Sequence, residues 1–516
     1  IIIKSKMKHS NKTFVWLCKI LFLISFEVKA HDVCIDNPFK FDLFGKWKRC
    51  SNYKASSKKC KKNKTVKRNC PKTCGLCEEL CLDHIENAEK ICLFVDQNKQ
   101  SCIEDEAFRA LCPKECKFEW TKIGNDIDGE DANDYSGYSV STSADGLTLA
   151  IGAYRHDGNG SDSGHVRVYK FDKNVWVKLG SNINGEAPGD RSGSSVSLSA
   201  DGFTLAVGAY GNDALGSCTG NVRVYTYDID YDRWSLLGNA IDGESSLDYF
   251  GSSVSMSDDG LTVAIGAFGN DDNGYDSGHV KVFKYFNGTW EQLGNNIDGE
   301  NTKDKFGYSV SMSADGLTVA ISAIGHDANG VGDSGHVRVY KYEILNSEYT
   351  SNSWTQLGND MEGHTADANF GSSVSLSADG LTLAIGDVSE VQDDYNGNVE
   401  VYTFENNKWI QLGDDIYGDY DDDSSIYSVS LSADGRTVAI GAMYNGNPKI
   451  PKNGSHVRIF KYVSDGWLQF GDDIKGESAN DQSGYSVSLS ADGLTVAIGA
   501  SLNTDKRGHV RSYTLY

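Results

Sequence analysis

The stretch Phe370–Gly386, FGSSVSLSADGLTLAIG, is written in seven versions along the chain, with Val140, Val196, Val254, Val310, Val374, Val429 and Val487 at one position, 55 to 64 residues apart. Self-similarity at such a period means one supersecondary unit stacked on itself, because a single unit cannot bury its own apolar face. Each copy reads as two strands. Val374 and Leu376 alternate with serines; Leu381, Leu383 and Ile385 then alternate with Thr382, Ala384 and Gly386. Asp379-Gly380 lies between them, and every copy keeps Asp-Gly, the pair that supplies positive backbone angles to a two-residue hairpin.

Two further strands complete each unit. One is HVRVYKF, His165 to Phe171; the other is built on Trp and Leu-Gly, as in WVKLG, Trp176 to Gly180. Four short strands with tight turns match a propeller blade. The tryptophans of the fourth strands are Trp120, Trp176, Trp234, Trp290, Trp354, Trp409 and Trp467. The first precedes the first hairpin, and the last unit ends after its third strand, His509 to Tyr516. Phe118 to Gly124 therefore supplies the strand the last blade lacks, closing the circle without free sheet edges. The expected fold is all-β, a seven-bladed β-propeller over residues 120–516.

The units resemble FG-GAP repeats, the blades of integrin α-subunit heads. Phe250-Gly251, Phe306-Gly307 and Phe370-Gly371 match the FG position. Ser136-Gly137, Ser192-Gly193 and Ser483-Gly484 replace its Phe, and Ile426-Tyr427 loses the pair. Gly-Ala follows in Gly152-Ala153, Gly208-Ala209, Gly266-Ala267, Gly441-Ala442 and Gly499-Ala500, without the Pro of the motif. The resemblance implies the propeller and a role in adhesion or recognition. Integrin-type heads place calcium in an Asp-rich strand 1–2 turn, and the short Asp-Gly turns here do not carry that site over.

The N-terminal part has another character. Lys8 and Lys12, then Phe14 to Phe26, then Val28-Lys29-Ala30 read as a signal peptide over residues 7–30, its apolar run too short for a membrane span. Twelve of the 13 cysteines precede Trp120, a density that means a disulfide scaffold in an exported chain. Cys34, Cys50, Cys60, Cys70, Cys74 and Cys77, ending CPKTCGLC, resemble an ShKT module, named for a sea-anemone channel toxin, over residues 34–77. That resemblance implies bridges Cys34–Cys77, Cys50–Cys70 and Cys60–Cys74, and an Asp36–Lys72 ion pair. A degenerate copy over residues 81–119 implies Cys92–Cys112 and Cys102–Cys116, with Asp83 facing Lys114; Glu119 stands where its sixth cysteine belongs. Cys81 is left either to bridge Cys218 or to remain an idle thiol. The toxin's Lys-Tyr pair is represented only by Lys64-Thr65, which speaks against channel block; the module fits an accessory that anchors or extends a larger protein.

Charge divides the same way. Residues 31–77 hold 13 Lys/Arg against 3 Asp/Glu, whereas residues 120–516 hold 25 against 57. So acidic a body argues against nucleic acid and toward cations or basic partners, or simply toward solubility. Asn63, Asn159, Asn287 and Asn453 open N-x-S/T acceptors for glycans.

Binding residues belong on the long loops, those joining strands 2–3 and 4–1. The 4–1 loops repeat Glu130, Glu186, Glu244, Glu300 and Glu477, followed by Asp134, Asp190, Asp248, Asp304, Asp423 and Asp481. An Asp in every blade is expected to hold its own loop through backbone N–H groups. Asp271, Asp272, Asn273 and Asp276 form an oxygen-rich group that calcium would suit, although no EF-hand pattern is present. His165, His279, His336, His456 and His509 recur at one strand position with Asn221 and Asn398 in the other blades, a pattern expected to mean side-chain-to-backbone hydrogen bonding.

Specificity is expected where the repeat breaks. Val388 to Asn396, Ile416 to Tyr427 and Met443 to Lys452 do so in adjoining blades. Tyr417, Tyr420, Asp421, Asp422, Asp423 and Tyr427 are the candidate ligand-binding residues, suited to sugars, basic peptides or a cation. No HExxH, GxSxG or P-loop is written, and no catalytic residue is assigned. The expectation is a secreted adhesion or recognition protein with an extracellular protein or glycan partner. The alternative is an extracellular polysaccharide enzyme using loop carboxylates.

Overall fold

The computed structural model describes residues 41–43, 46–48, 118–343, 353–388, 397–418, 426–442, 455–463, 466–478 and 481–515. The chain divides into a unit over residues 1–117 and a unit over residues 118–516. Of the first, a small antiparallel pair, Phe41–Leu43 with Lys46–Lys48, is described. The expected signal peptide and all the expected cysteine bridges, like Asn63, lie outside the described residues.

The second unit is all-β and consists of seven antiparallel sheets, the blades of a propeller. Blade 1 is typical: Ser139–Thr142, Thr148–Ala153, His165–Asp172 and Val175–Lys178, each strand pairing with the next. A two-residue strand, Ile183–Asn184, returns to the start of the third strand after a short bulge. Blade 7 is assembled differently. Its own strands are Ser483–Leu489, Thr495–Ala500 and His509–Leu515, and its fourth strand is Trp120–Asp128, paired from Trp120↔Leu515 to Asp128↔His509.

Three hydrogen-bond circuits pass from blade to blade and return to their start. In the first, a serine of each innermost strand accepts the next blade's backbone N–H. Ser141 takes Leu198 N, Ser197 takes Met256 N, Ser255 takes Met312 N and Ser311 takes Leu376 N. Ser375 takes Leu431 N, Ser430 takes Leu489 N, and Ser488 takes Thr142 N at 3.0 Å. The alternating serines of the repeat thus face the neighbouring blade, where a buried N–H must find an acceptor. In the second circuit, each fourth-strand indole N–H donates to a carbonyl of the preceding blade, from Trp176 to Ile123 O round to Trp467 to Leu412 O. Trp120 completes it on Phe470 O at 2.7 Å.

The third circuit corrects the expected hairpin. Leu376 pairs with Leu383, and Ser377 N–H donates to Thr382 O, so four residues rather than two form the turn. Gly380 has φ +70°, whereas Asp379 is not in the positive region, so the turn is not of the two-residue kind. Side chains replace the tight turn: Asp379 Oδ1 accepts from Ser377 Oγ and Leu381 N, and Ser377 Oγ accepts from Thr382 N. The wider turn leaves Ala378 N–H free to donate to Ala433 O of the next blade, and the equivalent bonds run through Ala491 N to Ala144 O.

Between blades lie apolar layers. Ala264, Val280, Val282 and Ile297 of blade 3 pack against Phe306, Val310, Val319 and Ile321 of blade 4. Small residues on one blade and β-branched ones on the next let the sheets approach to interior density. Among the described residues no helix is long and apolar enough to cross a membrane.

Candidate functional site

The long-loop face is built on the repeated acids, and the expectation for the aspartates holds. Asp134 Oδ2 accepts from Asp131 N; Asp190 Oδ2 accepts from Glu186 N and Ala187 N; Asp481 Oδ2 accepts from Glu477 N and Ser478 N. Asp134, Asp190, Asp248, Asp304 and Asp481 are nearly fully buried, and they hold loops. The glutamates four positions earlier meet a row of buried cations on the third strands, written in the sequence as Arg or Lys at the third residue of those strands. Glu186 faces Arg223 at 3.3 Å, Glu244 faces Lys281 at 2.6 Å and Glu300 faces Arg338 at 2.7 Å. Glu130–Arg167 and Glu477–Arg511 are looser, both at 3.9 Å.

Blade 5 breaks this row. Six blades end the second strand in Ala and carry Arg or Lys as the third residue of the third strand; blade 5 has Asp387 and Glu400. At the position of the loop glutamate it has His364. Asp387 is 8% exposed and its Oδ1 has no hydrogen-bond partner among the described residues; Glu400 is similarly buried and accepts from Tyr402 Oη and Asn398 Nδ2. Burial first, then the charges of Glu400 and Asp415, push the Asp387 carboxyl up to about 7. Burial raises Glu400 as well, with Asp415 adding and Tyr402 and His364 opposing. The pair is one buried, coupled acid centre, a concentration of negative potential.

Tyr417, one of the expected ligand residues, is exposed on the next loop and donates from Oη to Asp415 Oδ2 at 2.7 Å. Tyr427 is half-buried in a second feature, a tyrosine cluster at the loop-face end of the innermost strands. Its ring lies 4.6 Å from Tyr485, which lies 4.9 Å from Tyr138, which lies 4.3 Å from Tyr154. Burial, with nearby Tyr427 adding, pushes the Tyr308 phenol up to about 12, and burial raises Tyr138 and Tyr485 too. Tyr420, Asp421, Asp422 and Asp423 lie outside the described residues, as do most of the other two divergent loops and Asn453.

The oxygen-rich group of blade 3 is divided by its loop. Asp271 Oδ1 accepts from Asp276 N, and Asn273 Nδ2 donates to Gly299 O. Asp272 turns instead toward buried His279, 3.7 Å away, and groups with it and Asp298. Beside that loop is a cavity of about 340 Å³ lined by Tyr249, Phe268, Tyr275, Asp271, Asp276 and Lys305. At the acceptor Asn159, Nδ2 donates to Gly185 O at 2.7 Å, whereas Asn287 stands exposed in a turn. Cys218 is half-exposed and unbridged; Cys81 lies outside the described residues.

Two of the recurring histidines, His165 and His336, depart from the expectation. In His165 and His336 neither ring nitrogen has a hydrogen-bond partner among the described residues. These buried rings pack against a second histidine rather than a peptide group: His156 at 3.9 Å and His326 at 4.2 Å between centroids.

Fold and loop face together define a seven-bladed β-propeller, three of whose blades carry recognisable FG-GAP repeats. The family model described as FG-GAP repeat matches residues 127–169, 239–283 and 298–340, the loop and first three strands of blades 1, 3 and 4. Among curated proteins none matches. Among solved structures, Kuenenia stuttgartiensis hydrazine synthase is similar at 15% identity and TM-score 0.44, over 77% of this chain and 97% of that one. A putative 6-phosphogluconolactonase from Bacteroides uniformis is similar at 12% identity and TM-score 0.45, over 66% and 87%. The periplasmic gluconolactonase PpgL of Pseudomonas aeruginosa is similar at 17% and 0.44, over 66% and 86%.

Proposed function

We propose that the chain is a secreted or cell-surface recognition protein, whose propeller holds an extracellular partner on its long-loop face and takes a basic side chain of that partner at blade 5. One observation carries this reading. Only blade 5 replaces the repeat's buried cation and small residue by two carboxylates, and it does so where the chain runs into the divergent loops. Two buried acids with no cation paired to them among the described residues are costly to keep, and a Lys or Arg supplies the missing charge at the end of a long apolar stem. Tyr417 and Asp415 beside them extend the same surface. The signal-like segment and the cysteine modules fit an extracellular setting, and the clasp of Trp120–Asp128 on blade 7 gives the loops a rigid base.

The test restores the repeat. The triple variant His364→Glu, Asp387→Ala, Glu400→Arg puts into blade 5 what other blades already accommodate, so it is expected to fold. Binding to an array of extracellular proteins and of Arg- and Lys-rich peptides is then compared with wild type. A loss of affinity of about tenfold or more is expected, since a hydrogen bond to a charged group contributes about 1.5–3 kcal/mol. Unchanged binding of every hit by a folded triple variant would refute the reading.

A further inference from the structure

We propose that blade 1 carries a Zn²⁺ site formed by Glu130, His156 and His165, independent of the blade-5 surface. One ligand atom from each of the three residues lies within 4.8 Å of the others. His165, the first residue of the third strand, is wholly buried, and both its ring nitrogens are without a hydrogen-bond partner. A buried polar group left so is costly, and in folded proteins such groups normally have a partner. The ring faces His156 and Glu130: the His156 centroid is 3.9 Å away, and Glu130 Oε2 is 3.9 Å from His165 Nδ1.

The surroundings fit a metal better than a loop tie alone. His156 Nδ1 meets Asp134 Oδ1 at 3.2 Å, the carboxylate-to-histidine contact that orients a metal-binding ring and leaves its other nitrogen for the ion. Glu130 is exposed enough to open the site to solvent, and Oε2 also accepts from Asn182 Nδ2 at 2.8 Å. Arg167 spends its Nη2 hydrogens on Asp128 O and Ser136 Oγ, leaving Nη1 3.9 Å from Glu130. Two imidazoles and one carboxylate select a borderline ion such as Zn²⁺ over Ca²⁺, which prefers oxygen alone, and three protein ligands leave a fourth position to water or a partner group.

Comparison among blades isolates the site. Blades 2 and 3 carry Asn212 and Asn270 where blade 1 has His156, and both amides reach the loop aspartate. Blade 4 repeats the histidine pair, His326 with His336, but Arg338 binds both oxygens of Glu300, at 2.7 and 2.9 Å. That carboxylate is already neutralised, so blade 4 is not expected to hold the ion.

Isothermal titration of the full chain with Zn²⁺ in chelator-treated buffer, together with the absorption spectrum of the Co²⁺-loaded protein, tests the assignment. His156→Asn and His165→Asn each install a residue that other blades use at that position. Each is expected to lower the bound Zn²⁺ by one equivalent and to remove the Co²⁺ bands of nitrogen–oxygen ligation, with unchanged circular dichroism. His326→Asn is expected to leave both readings as in wild type. Equal zinc stoichiometry in wild type, His156→Asn and His165→Asn would overturn the proposal, as would the same loss in His326→Asn.

Discussion

Replacing Trp120 by Ala tests whether the seam of the propeller is as strong as any other junction. The indole N–H donates to Phe470 O at 2.7 Å, and the ring lies over Gly471, where φ is +92° and an added Cβ would come within 2.7 Å of Trp120 Cδ1. Neighbouring Phe118 packs on Phe470 at 4.6 Å. Losing the hydrogen bond costs about 1 kcal/mol. Losing the half-buried indole, roughly 100 Å² at about 25 cal/mol per Å², costs about 2.5 kcal/mol more. The expected loss is therefore about 3.5 kcal/mol. Trp290, whose N–H meets Leu237 O at 2.7 Å over Gly238, occupies the same place in the middle of the chain. Trp290→Ala should cost the same within about 1 kcal/mol, the usual spread of such truncations. Urea unfolding followed by tryptophan fluorescence and circular dichroism measures both. If Trp120→Ala costs less than about 0.5 kcal/mol while Trp290→Ala costs its full amount, the seam bears no load and the closed ring is wrong.

Two further outcomes follow from the loop face. The Asp387 carboxyl titrates near 7 in the fold against 3.8 unfolded, so the folded state holds the proton more tightly. Its contribution is full below about pH 4 and is lost as pH rises through 7, by about 2.5 kcal/mol between pH 5 and 7.5. Asp387→Asn should flatten that part of the stability profile; an identical slope in wild type and variant would show that the group is not buried as described. Glycopeptide mapping of chain secreted from a eukaryotic host should find a glycan on Asn287 and none on Asn159, whose amide nitrogen is committed to Gly185 O; full occupancy of Asn159 would mean that this loop forms after modification.

The sequence was most legible where a residue acts within its own repeat. The seven Asp-Gly turns, the alternating valines and leucines and the offset of Trp120 gave the blades and their number, because strand patterning depends on neighbours two residues away. The described loop aspartates are legible for the same reason: their partners are backbone amides three or four positions before them. Reading only local partners also misled. The Asp-Gly pair by itself predicts a two-residue hairpin, because nothing nearby in the sequence shows that Ala378 reaches Ala433.

What the sequence by itself determined is a chain of seven blades with an acidic loop face, since composition, period and turn residues are properties of short segments. Only the tertiary structure decided which groups meet across segments: Glu186 with Arg223, Asp387 with Glu400, His156 with His165. Those pairs lie 9 to 37 residues apart and join loops or strands whose spacing is set by how far a 2–3 or 4–1 connection travels before it returns. The free energy of a buried charge or an unpartnered imidazole depends on what stands within a few ångströms, and that is fixed by packing, not by order along the chain.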